Sequence, residues 1–316
     1  MLIALHGFEP EQRRRLQDTL PGWQVRFAKA DELKTEEIKR AEIICGWSSK
    51  IAEAALAEDS ALRWVQGWSA GVDYMPLEAL QRRGVLLTTG SGVHPNPMSE
   101  TAFALMLAMT RGVHLAVRNQ QDRRWDKPRG LGELHGATIG IVGAGTIGRE
   151  IARLARAFGM RVLGLRRSGV ADEHYDRMYA PEGLDELLGS CDYVVNVLPA
   201  TPRTRGLFDE GRFAAMKRGA IFVNIGRGAT VKTESLLAAL RSGALGGAGL
   251  DVFEREPLPE DHPLWTMPQV VITPHLGGET ASYNDRIVAL FMDNLALYLE
   301  GRGASMANLV DYEASY

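Results

Sequence analysis

The sequence has few cysteines, little net charge and no long apolar run. Cys45 and Cys191 lie far apart and form no metal-binding or redox spacing. The longest apolar stretch, Ala102–Met109, is well short of the roughly 20 residues that cross a bilayer. With 36 basic and 39 acidic residues, the chain has no basic surplus for nucleic acid or membrane surfaces. Glu9 and Glu11 interrupt the first apolar segment too early for a secretory signal. We therefore expect a cytoplasmic protein with reduced, buried thiols.

The order of apolar segments predicts an α/β protein of two domains. A chain of 316 residues is long for one hydrophobic core. Short apolar segments alternate with charged, helix-favouring stretches, first over about ninety residues and again after Ala137. Such alternation is typical of parallel sheets covered by helices. The predicted strands are Leu2–Leu5, Gln24–Phe27, Glu42–Cys45, Trp64–Gly67 and Val85–Thr88, then Thr138–Val142, Arg161–Leu165, Tyr193–Val197, Ala220–Ile225, Gly247–Val252 and Val270–Thr273.

A turn-rich segment, Gly90–Pro97, separates the two series and is interpreted as a crossing between domains. Ser99 is predicted to cap one long helix from Glu100 to Gln121. Apolar residues cover more than one face of that helix, which predicts burial within the chain or against a second subunit. Another long helix is expected over Glu279–Glu300.

The segment Gly143–Gly148 has the form G-x-G-x-x-G. It follows an apolar predicted strand and opens a predicted helix, the two conditions that make this pattern a dinucleotide fingerprint. Gly143 permits the tight turn, Gly145 lets the backbone approach a pyrophosphate, and Gly148 allows close packing of helix on sheet. The helix N-terminus then favours the bound anion.

The end of the second strand of this series indicates the choice of nucleotide. An acidic residue that accepts from the ribose 2′-hydroxyl is typical of NAD sites, but this chain has Arg166, Arg167 and Ser168 there. Guanidinium groups donate paired hydrogen bonds to phosphate. Asp172 is too far downstream to replace the missing acid. NADP(H) is therefore favoured, with NAD(H) as the alternative.

Three polar side chains follow later strands of the second series: Arg227, Glu256 and His275. Ligands of open parallel sheets bind beyond the carboxyl ends of strands, so the three are expected to face one crevice. Glu254 is the main rival of Glu256. The segments that carry these residues are Val223–Gly228, Gly249–Pro257 and Thr273–Gly278.

Together with the glycine fingerprint, these segments resemble the D-isomer-specific 2-hydroxyacid dehydrogenase family. The shared motifs are Asn-x-Gly-Arg-Gly, Gly-Leu-Asp-Val-Phe…Glu-Pro and Thr-Pro-His-Leu-Gly, and the likeness runs from about residue 40 to residue 310. The resemblance implies a Rossmann-type dinucleotide-binding domain, residues 99–279, inserted in a flavodoxin-like parallel-sheet substrate domain, residues 1–98 plus 280–316. It also implies a homodimer, with the helix after Ser99 as dimerisation arm.

The resemblance further implies hydride transfer between NAD(P)H and a small 2-oxo acid, such as glyoxylate or hydroxypyruvate. Arg227 would hold the substrate carboxylate and polarise the oxo group, and His275, paired with Glu256, would act as general acid. Asp251 would lie near the nicotinamide amide, or be a structural turn residue. No metal is expected.

The family's substrate-carboxylate loop is matched by Ala70-Gly71-Val72-Asp73, whose backbone N–H groups at Ala70, Gly71 and Val72 would bind the substrate carboxylate. Asp73 is expected to be structural. Trp47 and Trp68 are expected either to narrow the substrate pocket or to belong to the core. The expected cofactor contacts are Gly143, Gly145, Thr146, Ile147, Gly148, Arg166, Arg167, Ser168, Leu198, Pro199, Ile225 and Asp251.

Two other functions fit the same motifs. Some relatives are corepressors that sense NADH, and others oxidise formate or phosphite on the same scaffold. The motifs do not discriminate among these alternatives.

Overall fold

The computed structural model describes residues 1–72 and 74–312, and the chain forms two compact units. The first unit comprises Met1–Val93 with Thr280–Tyr316, and the second comprises His94–Glu279. Asp73, for which a structural role was expected, lies outside the described residues, as do residues 313–316.

The first unit is built on a parallel sheet of five strands in the order β2-β1-β3-β4-β5. The side chains of its three inner strands, β1, β3 and β4, are buried, as expected for a sheet covered on both faces. This strand order is that of flavodoxin-like folds and reverses between β1 and β3, which confirms the predicted architecture. The elements are β1 (Leu2–Ala4), α1 (Pro10–Thr19), β2 (Val25–Phe27), α2 (Thr35–Lys39), β3 (Ile43–Cys45), α3 (Ser49–Ala55), β4 (Trp64–Gln66), α4 (Leu77–Arg82) and β5 (Leu86–Thr88).

A helix from the C-terminal part of the chain, α11 (Tyr283–Leu299), completes the first unit. Its buried face includes Ile287, Phe291 and Leu295. The fully buried Trp64 of β4 lies against Phe291 and Tyr298, with ring centroids 5.4 and 5.3 Å apart. Aromatic rings bury large apolar areas, so these contacts account for the return of the chain to its first sheet.

The second unit contains seven parallel strands in the order β12-β11-β10-β9-β6-β7-β8. Because β7 and β9 lie on opposite sides of β6, the topological switch point falls between β6 and β9. A Rossmann-type sheet is thereby confirmed. The elements are α5 (Pro95–Thr110), α6 (Val113–Gln121), β6 (Thr138–Val142), α7 (Thr146–Ala157), β7 (Arg161–Leu165), β8 (Arg177–Tyr179), α8 (Leu184–Ser190), β9 (Tyr193–Asn196), α9 (Glu210–Ala215), β10 (Ala220–Asn224), α10 (Thr233–Arg241), β11 (Leu245–Leu250) and β12 (Val270–Ile272).

The prediction of a single long helix after Ser99 is wrong in two respects. The chain breaks between α5 and α6, where Gly112 adopts a positive φ of 64° that ends the first helix. Ser99 is not the N-cap, because α5 begins at Pro95 and the Ser99 hydroxyl donates to the carbonyl of Asn96. Proline suits a first helical turn, since its missing N–H has no partner there in any case.

The three-residue edge strand β8 was not predicted from the sequence. Its residues, Arg177–Tyr179, carry no apolar run that would mark a buried strand. Within the described residues, no helix combines the length and the apolar character needed to span a bilayer.

Candidate active site

The predicted site residues of the second unit lie in one row along the carboxyl edge of its sheet. Six neighbouring strands each contribute to this row, which spans about 25 Å at the usual strand spacing. From β12 to β7 the row reads His275, then Asp251 and Glu256, then Ile225 and Arg227, then Leu198 and Pro199, then Gly143–Gly148, then Arg166–Ser168.

His275 and Glu256 form a direct pair at one end of this row. The Nδ1 atom of His275 lies 2.7 Å from Glu256 Oε2. The other carboxylate oxygen, Oε1, accepts from the Phe253 N–H at 2.8 Å. About half of the His275 side chain is exposed, and its Nε2 makes no hydrogen bond to any described residue. Because Nδ1 is engaged by a carboxylate, the free Nε2 is the ring atom that can exchange a proton with a ligand.

Asp251 holds the loop on which His275 lies. One oxygen of its buried carboxylate accepts from Thr273 Oγ1 at 2.6 Å and Leu276 N at 3.0 Å, and the other accepts from Gly277 N at 2.9 Å. A Cβ at Gly277 would lie 2.7 Å from that second oxygen, so glycine is required for this approach. The His275 backbone is itself strained, with φ at 53°. Asp251 is therefore engaged in fixing the histidine loop.

Arg227 follows β10 in a turn held by a buried hydrogen-bond network that the sequence analysis missed. Its carbonyl accepts from Thr230 Oγ1 at 2.6 Å and from Asn224 Nδ2 at 3.3 Å. Asn196, at the end of β9, donates to Asn224 Oδ1 at 2.9 Å and to Thr230 Oγ1 at 2.7 Å. Polar residues at strand ends are the signal that could have found Asn196. Satisfied buried networks of this kind specify one local geometry.

Glycines on both sides of Arg227 allow its turn to approach other backbone segments. A Cβ at Gly226 would lie 2.7 Å from the carbonyl oxygen of Leu198. A Cβ at Gly228 would lie 1.9 Å from the carbonyl carbon and oxygen of Phe253, a distance that no packed structure tolerates. The turn that carries Arg227 and the loop that carries Glu256 are therefore in direct contact.

The glycine fingerprint has the geometry of an anion site. Gly143 adopts φ of 110°, and a Cβ at Gly148 would lie 2.5 Å from the Gly143 carbonyl oxygen. Gly145 precedes α7, and a Cβ there would meet no atom within 4 Å. Thr146 and Ile147 begin the helix, where N–H groups lack intrahelical acceptors. The open space above Gly145 and the helix N-terminus fit a dinucleotide pyrophosphate.

The remaining predicted cofactor residues are Leu198 and Pro199, which follow β9, and Ile225, which follows β10. The Leu198 N–H donates to Asn196 Oδ1 at 3.2 Å, and the Pro199 carbonyl accepts from Thr204 Oγ1 at 2.6 Å. The side chain of Ile225 is buried in a core cluster. The Ile225 side chain therefore belongs to the core of this unit.

The turn after β7 is organised by Arg166. The Arg166 guanidinium donates to the carbonyls of Val170 and Ala171, the latter at 3.1 Å. By contrast, Arg167 and Ser168 are exposed. Of the three residues predicted to bind a 2′-phosphate, Arg166 thus braces the turn, and Arg167 and Ser168 lie on its surface.

Asp172 is engaged by the helix that follows the fingerprint. Arg149 Nη2 donates to its carboxylate at 2.6 Å, and the His174 N–H donates at 3.1 Å. Burial opposes ionisation, but these two contacts prevail and lower the pKa of Asp172. The carboxylate is only 3% exposed, so it is occupied within the protein.

Within the first unit, the predicted carboxylate loop offers three backbone donors. In the described part of the chain, the N–H groups of Ala70, Gly71 and Val72 donate to no acceptor. The loop is fixed just before this point by Trp68, whose ring stacks on His6 at 4.8 Å and whose carbonyl accepts from the Tyr283 hydroxyl. No role was predicted from the sequence for His6 or Tyr283.

Trp47 follows β3, and Trp68 follows the neighbouring strand β4. The Trp47 ring is 7% exposed, in a core cluster with Val72 and Met75. Its indole N–H has no acceptor among the described residues.

Comparison with known proteins identifies the family. The model of "D-isomer specific 2-hydroxyacid dehydrogenase, NAD binding domain" matches residues 103–277. A glyoxylate/hydroxypyruvate reductase B from Klebsiella pneumoniae is 36% identical over 297 residues, 91% of each chain.

Two solved structures are similar over nearly the full length. A D-isomer specific 2-hydroxyacid dehydrogenase family protein from Aeromonas salmonicida has 36% identity, a TM-score of 0.86 and 98% coverage of both chains. An NADPH-dependent glyoxylate/hydroxypyruvate reductase from Sinorhizobium meliloti, in complex with NADP and sulfate, has 30% identity and a TM-score of 0.83. That alignment covers 100% of this chain and 99% of the other. The chain thus belongs to the D-isomer specific 2-hydroxyacid dehydrogenase family, and is an NAD(P)-dependent oxidoreductase.

Proposed function

We propose that the protein reduces glyoxylate, hydroxypyruvate or a similarly small 2-oxo acid with NADPH. The observation that carries this proposal is the 2.7 Å contact between His275 Nδ1 and Glu256 Oε2, at the end of the row that also bears Arg227 and the glycine fingerprint. The names of the K. pneumoniae and S. meliloti relatives support the substrate class.

In this mechanism His275 is the general acid. The carboxylate of Glu256 holds the ring by Nδ1, which leaves Nε2–H to give its proton to the substrate carbonyl oxygen. In the oxidative direction the neutral Nε2 accepts the hydroxyl proton. A bound nicotinamide nucleotide supplies the hydride.

Arg227 binds the substrate carboxylate and polarises the oxo group. A guanidinium donates two parallel hydrogen bonds, which suits the adjacent oxygens of a 2-oxo acid. Within the first unit, the N–H groups of Ala70–Val72 have no acceptor among the described residues and suit a carboxylate, because consecutive backbone donors form an anion-binding concavity. Asp251 acts by positioning His275 through the loop contacts described above.

The preference for NADPH is proposed from the turn after β7. Arg167 and Ser168 are exposed on the surface of this turn, where a cation and a hydroxyl suit a 2′-phosphate, while Arg166 braces the turn. Asp172 is poorly placed to accept from the ribose of NADH, because its side chain is only 3% exposed and its carboxylate already accepts from Arg149 and the His174 N–H. The NADP complex of the S. meliloti reductase supports this choice.

We further propose that the protein is a homodimer through α6 and the loop after it. Exposed apolar side chains cluster in this stretch, with Val113 and Val117 about half exposed and Trp125 95% exposed. An apolar surface of this kind is typical of a protein interface. A cytoplasmic location is proposed because Cys45 and Cys191 are both free and buried.

The test is a panel of 2-oxo acids assayed with NADPH and with NADH, beside formate and phosphite with the oxidised nucleotides. Turnover of glyoxylate or hydroxypyruvate above about 1 per second, the lower part of the usual enzyme range, is expected with NADPH. Oxidation of formate or phosphite alone, or binding of nucleotide without turnover of any substrate, would contradict the proposal.

Light scattering of wild type and Trp125→Glu tests the dimer, with a shift to monomer expected for the variant.

A further inference from the structure

The segment Asp251–Glu256 carries three carboxylates, and each has a different partner. Asp251 fixes the histidine loop, and Glu256 contacts His275 itself. The third, Glu254, reaches back to Thr233, the first residue of α10. Its Oε2 accepts from Thr233 Oγ1 at 2.7 Å and from the Thr233 N–H at 3.2 Å. We call this pair of contacts the Glu254–Thr233 clamp.

The clamp joins a loop without regular structure to a rigid element. Between β11 and the short 3-10 turn at Pro263–Thr266, the chain forms no helix or strand. A helix N-terminus presents unpaired N–H groups and a partial positive charge, both of which favour a carboxylate. Glu254 therefore holds the start of this loop against α10, two residues before Glu256.

The clamp also connects the turn that bears Arg227 with the loop that bears Glu256. The chain runs from Arg227 through Gly228 to Thr233, so α10 begins just after the arginine turn. Gly228 lies directly against the backbone of Phe253 and Glu254. The turn that bears Arg227 and the loop that bears Glu256 thus meet at two places, the glycine contact and the clamp.

Glu256 depends on this arrangement through its own backbone contact. Its Oε1 accepts from the N–H of Phe253, the residue adjacent to Glu254. Movement of Phe253 away from α10 would therefore carry Glu256 with it and lengthen the contact of Oε2 with His275 Nδ1. Misplacement of a catalytic group by about 1 Å costs on the order of 100-fold in rate.

We infer that Glu254 is a positioning residue that, through Thr233, keeps Glu256 against His275. This inference rests on the catalytic roles proposed above for Glu256 and His275. Glu254 itself does not touch the reacting atoms, and its effect is transmitted by the backbone of residues 253–256.

The test compares four variants in the full-length protein. Glu254→Ala removes the whole clamp, and Thr233→Val removes the hydroxyl while keeping the shape of the side chain. Thr233→Ser is the conservative variant that keeps both donors. Glu260→Gln is the matched control, an exposed acid of the same loop.

Three measurements are made on each variant. Steady-state kinetics with NADPH and glyoxylate give kcat and KM, and fluorescence titration gives the Kd for NADPH. NMR of protein with ¹⁵N-labelled histidine follows the Nδ1–H signal of His275, assigned by its loss in His275→Gln. This signal reports the hydrogen bond to Glu256 without requiring activity.

For Glu254→Ala we expect kcat to fall about tenfold, with the Kd for NADPH unchanged and the Nδ1–H signal of His275 shifted or broadened. Thr233→Val should show a smaller change of the same kind, while Thr233→Ser and Glu260→Gln should match wild type. A wild-type Nδ1–H signal in Glu254→Ala would overturn the inference, even with a lower melting temperature. If Glu254→Ala does not fold, an unchanged signal in Thr233→Val overturns it instead. Wild-type protein without 2-oxo acid turnover would contradict the proposed function, and the NMR comparison would still test the clamp.

Discussion

The two ends of the carboxyl edge of the seven-stranded sheet are built differently. At the β10–β12 end, hydrogen bonds to carboxylates hold the loops that carry the residues proposed to be catalytic, as Asp251 fixes the loop of His275. At the β7 end, arginines form ion pairs and contacts with carbonyls, and Arg149 remains 58% exposed. Proton transfer requires heavy atoms within hydrogen-bond distance, whereas arginine recognises phosphate through charge-assisted hydrogen bonds. The two ends therefore differ in how their side chains are held, by a buried carboxylate and backbone donors at one end and by guanidinium contacts at the other.

The largest effect is expected from His275→Gln at the catalytic end. Glutamine keeps a polar side chain but cannot donate a proton as a general acid, so kcat should fall by about 10³-fold. The Kd for NADPH, measured by fluorescence, should stay within about twofold of wild type, because the fingerprint follows a different strand. An unchanged kcat in His275→Gln would rule out His275 as the general acid. It would also contradict the proposed difference between the β10–β12 end and the β7 end of the sheet edge.

Arg227→Ala should chiefly weaken recognition of the substrate carboxylate. The loss of a bidentate guanidinium should lower kcat/KM by roughly 100-fold, mostly through KM. Arg255→Ala, which alters an exposed arginine beside Glu256, is the control and should behave as wild type. An unaltered dependence of rate on substrate concentration in Arg227→Ala would count against its role.

At the other end, Arg167→Asp should change cofactor preference. Opposing the 2′-phosphate with a carboxylate should move the ratio of kcat/KM for NADPH over NADH by about 10- to 100-fold toward NADH. Arg166→Asp is the comparison, because Arg166 braces the turn from within and its loss should weaken both cofactors. Equal ratios in wild type and both variants would refute the phosphate site.

The smallest effect is expected from Asp172→Asn, measured as the free energy of unfolding in urea. Since the folded protein lowers the pKa of Asp172, its ionised form contributes stability above the usual carboxyl range. That stability is lost as the pH falls through the lowered value. The variant should be about 1 kcal/mol less stable near neutral pH, with the difference fading in acid. A difference that persists in acid would show that Arg149 and His174 do not act through the charge.

The alternation of strands and helices could be predicted from the sequence, because buried parallel strands are continuous apolar runs. Boundaries mostly agreed within one or two residues, as for β6 at Thr138–Val142. The break at Gly112 could not be predicted, because one glycine within an apolar periodicity is also tolerated in a helix. The strand Arg177–Tyr179 escaped notice because an edge strand needs little apolar character.

In the candidate site, the glycine fingerprint and the catalytic residues could be named from their spacing and from the family's motifs. The partner of His275 could not be chosen from spacing alone, because Glu254 and Glu256 are two residues apart in one loop. Only the structure separates them, with Glu256 on the imidazole and Glu254 on Thr233. The different positions of Arg166 and Arg167 could not be predicted either, because the sequence does not show which of two adjacent arginines faces the turn and which faces solvent.

By itself, the sequence determined which segments are buried and which polar residues follow each strand, because burial and turn formation are local properties of side-chain chemistry. The tertiary structure decided which carboxylate meets which donor. In the candidate site those partners are separated by up to 26 residues, as Asp251 is from Gly277, and they meet where neighbouring strands end side by side.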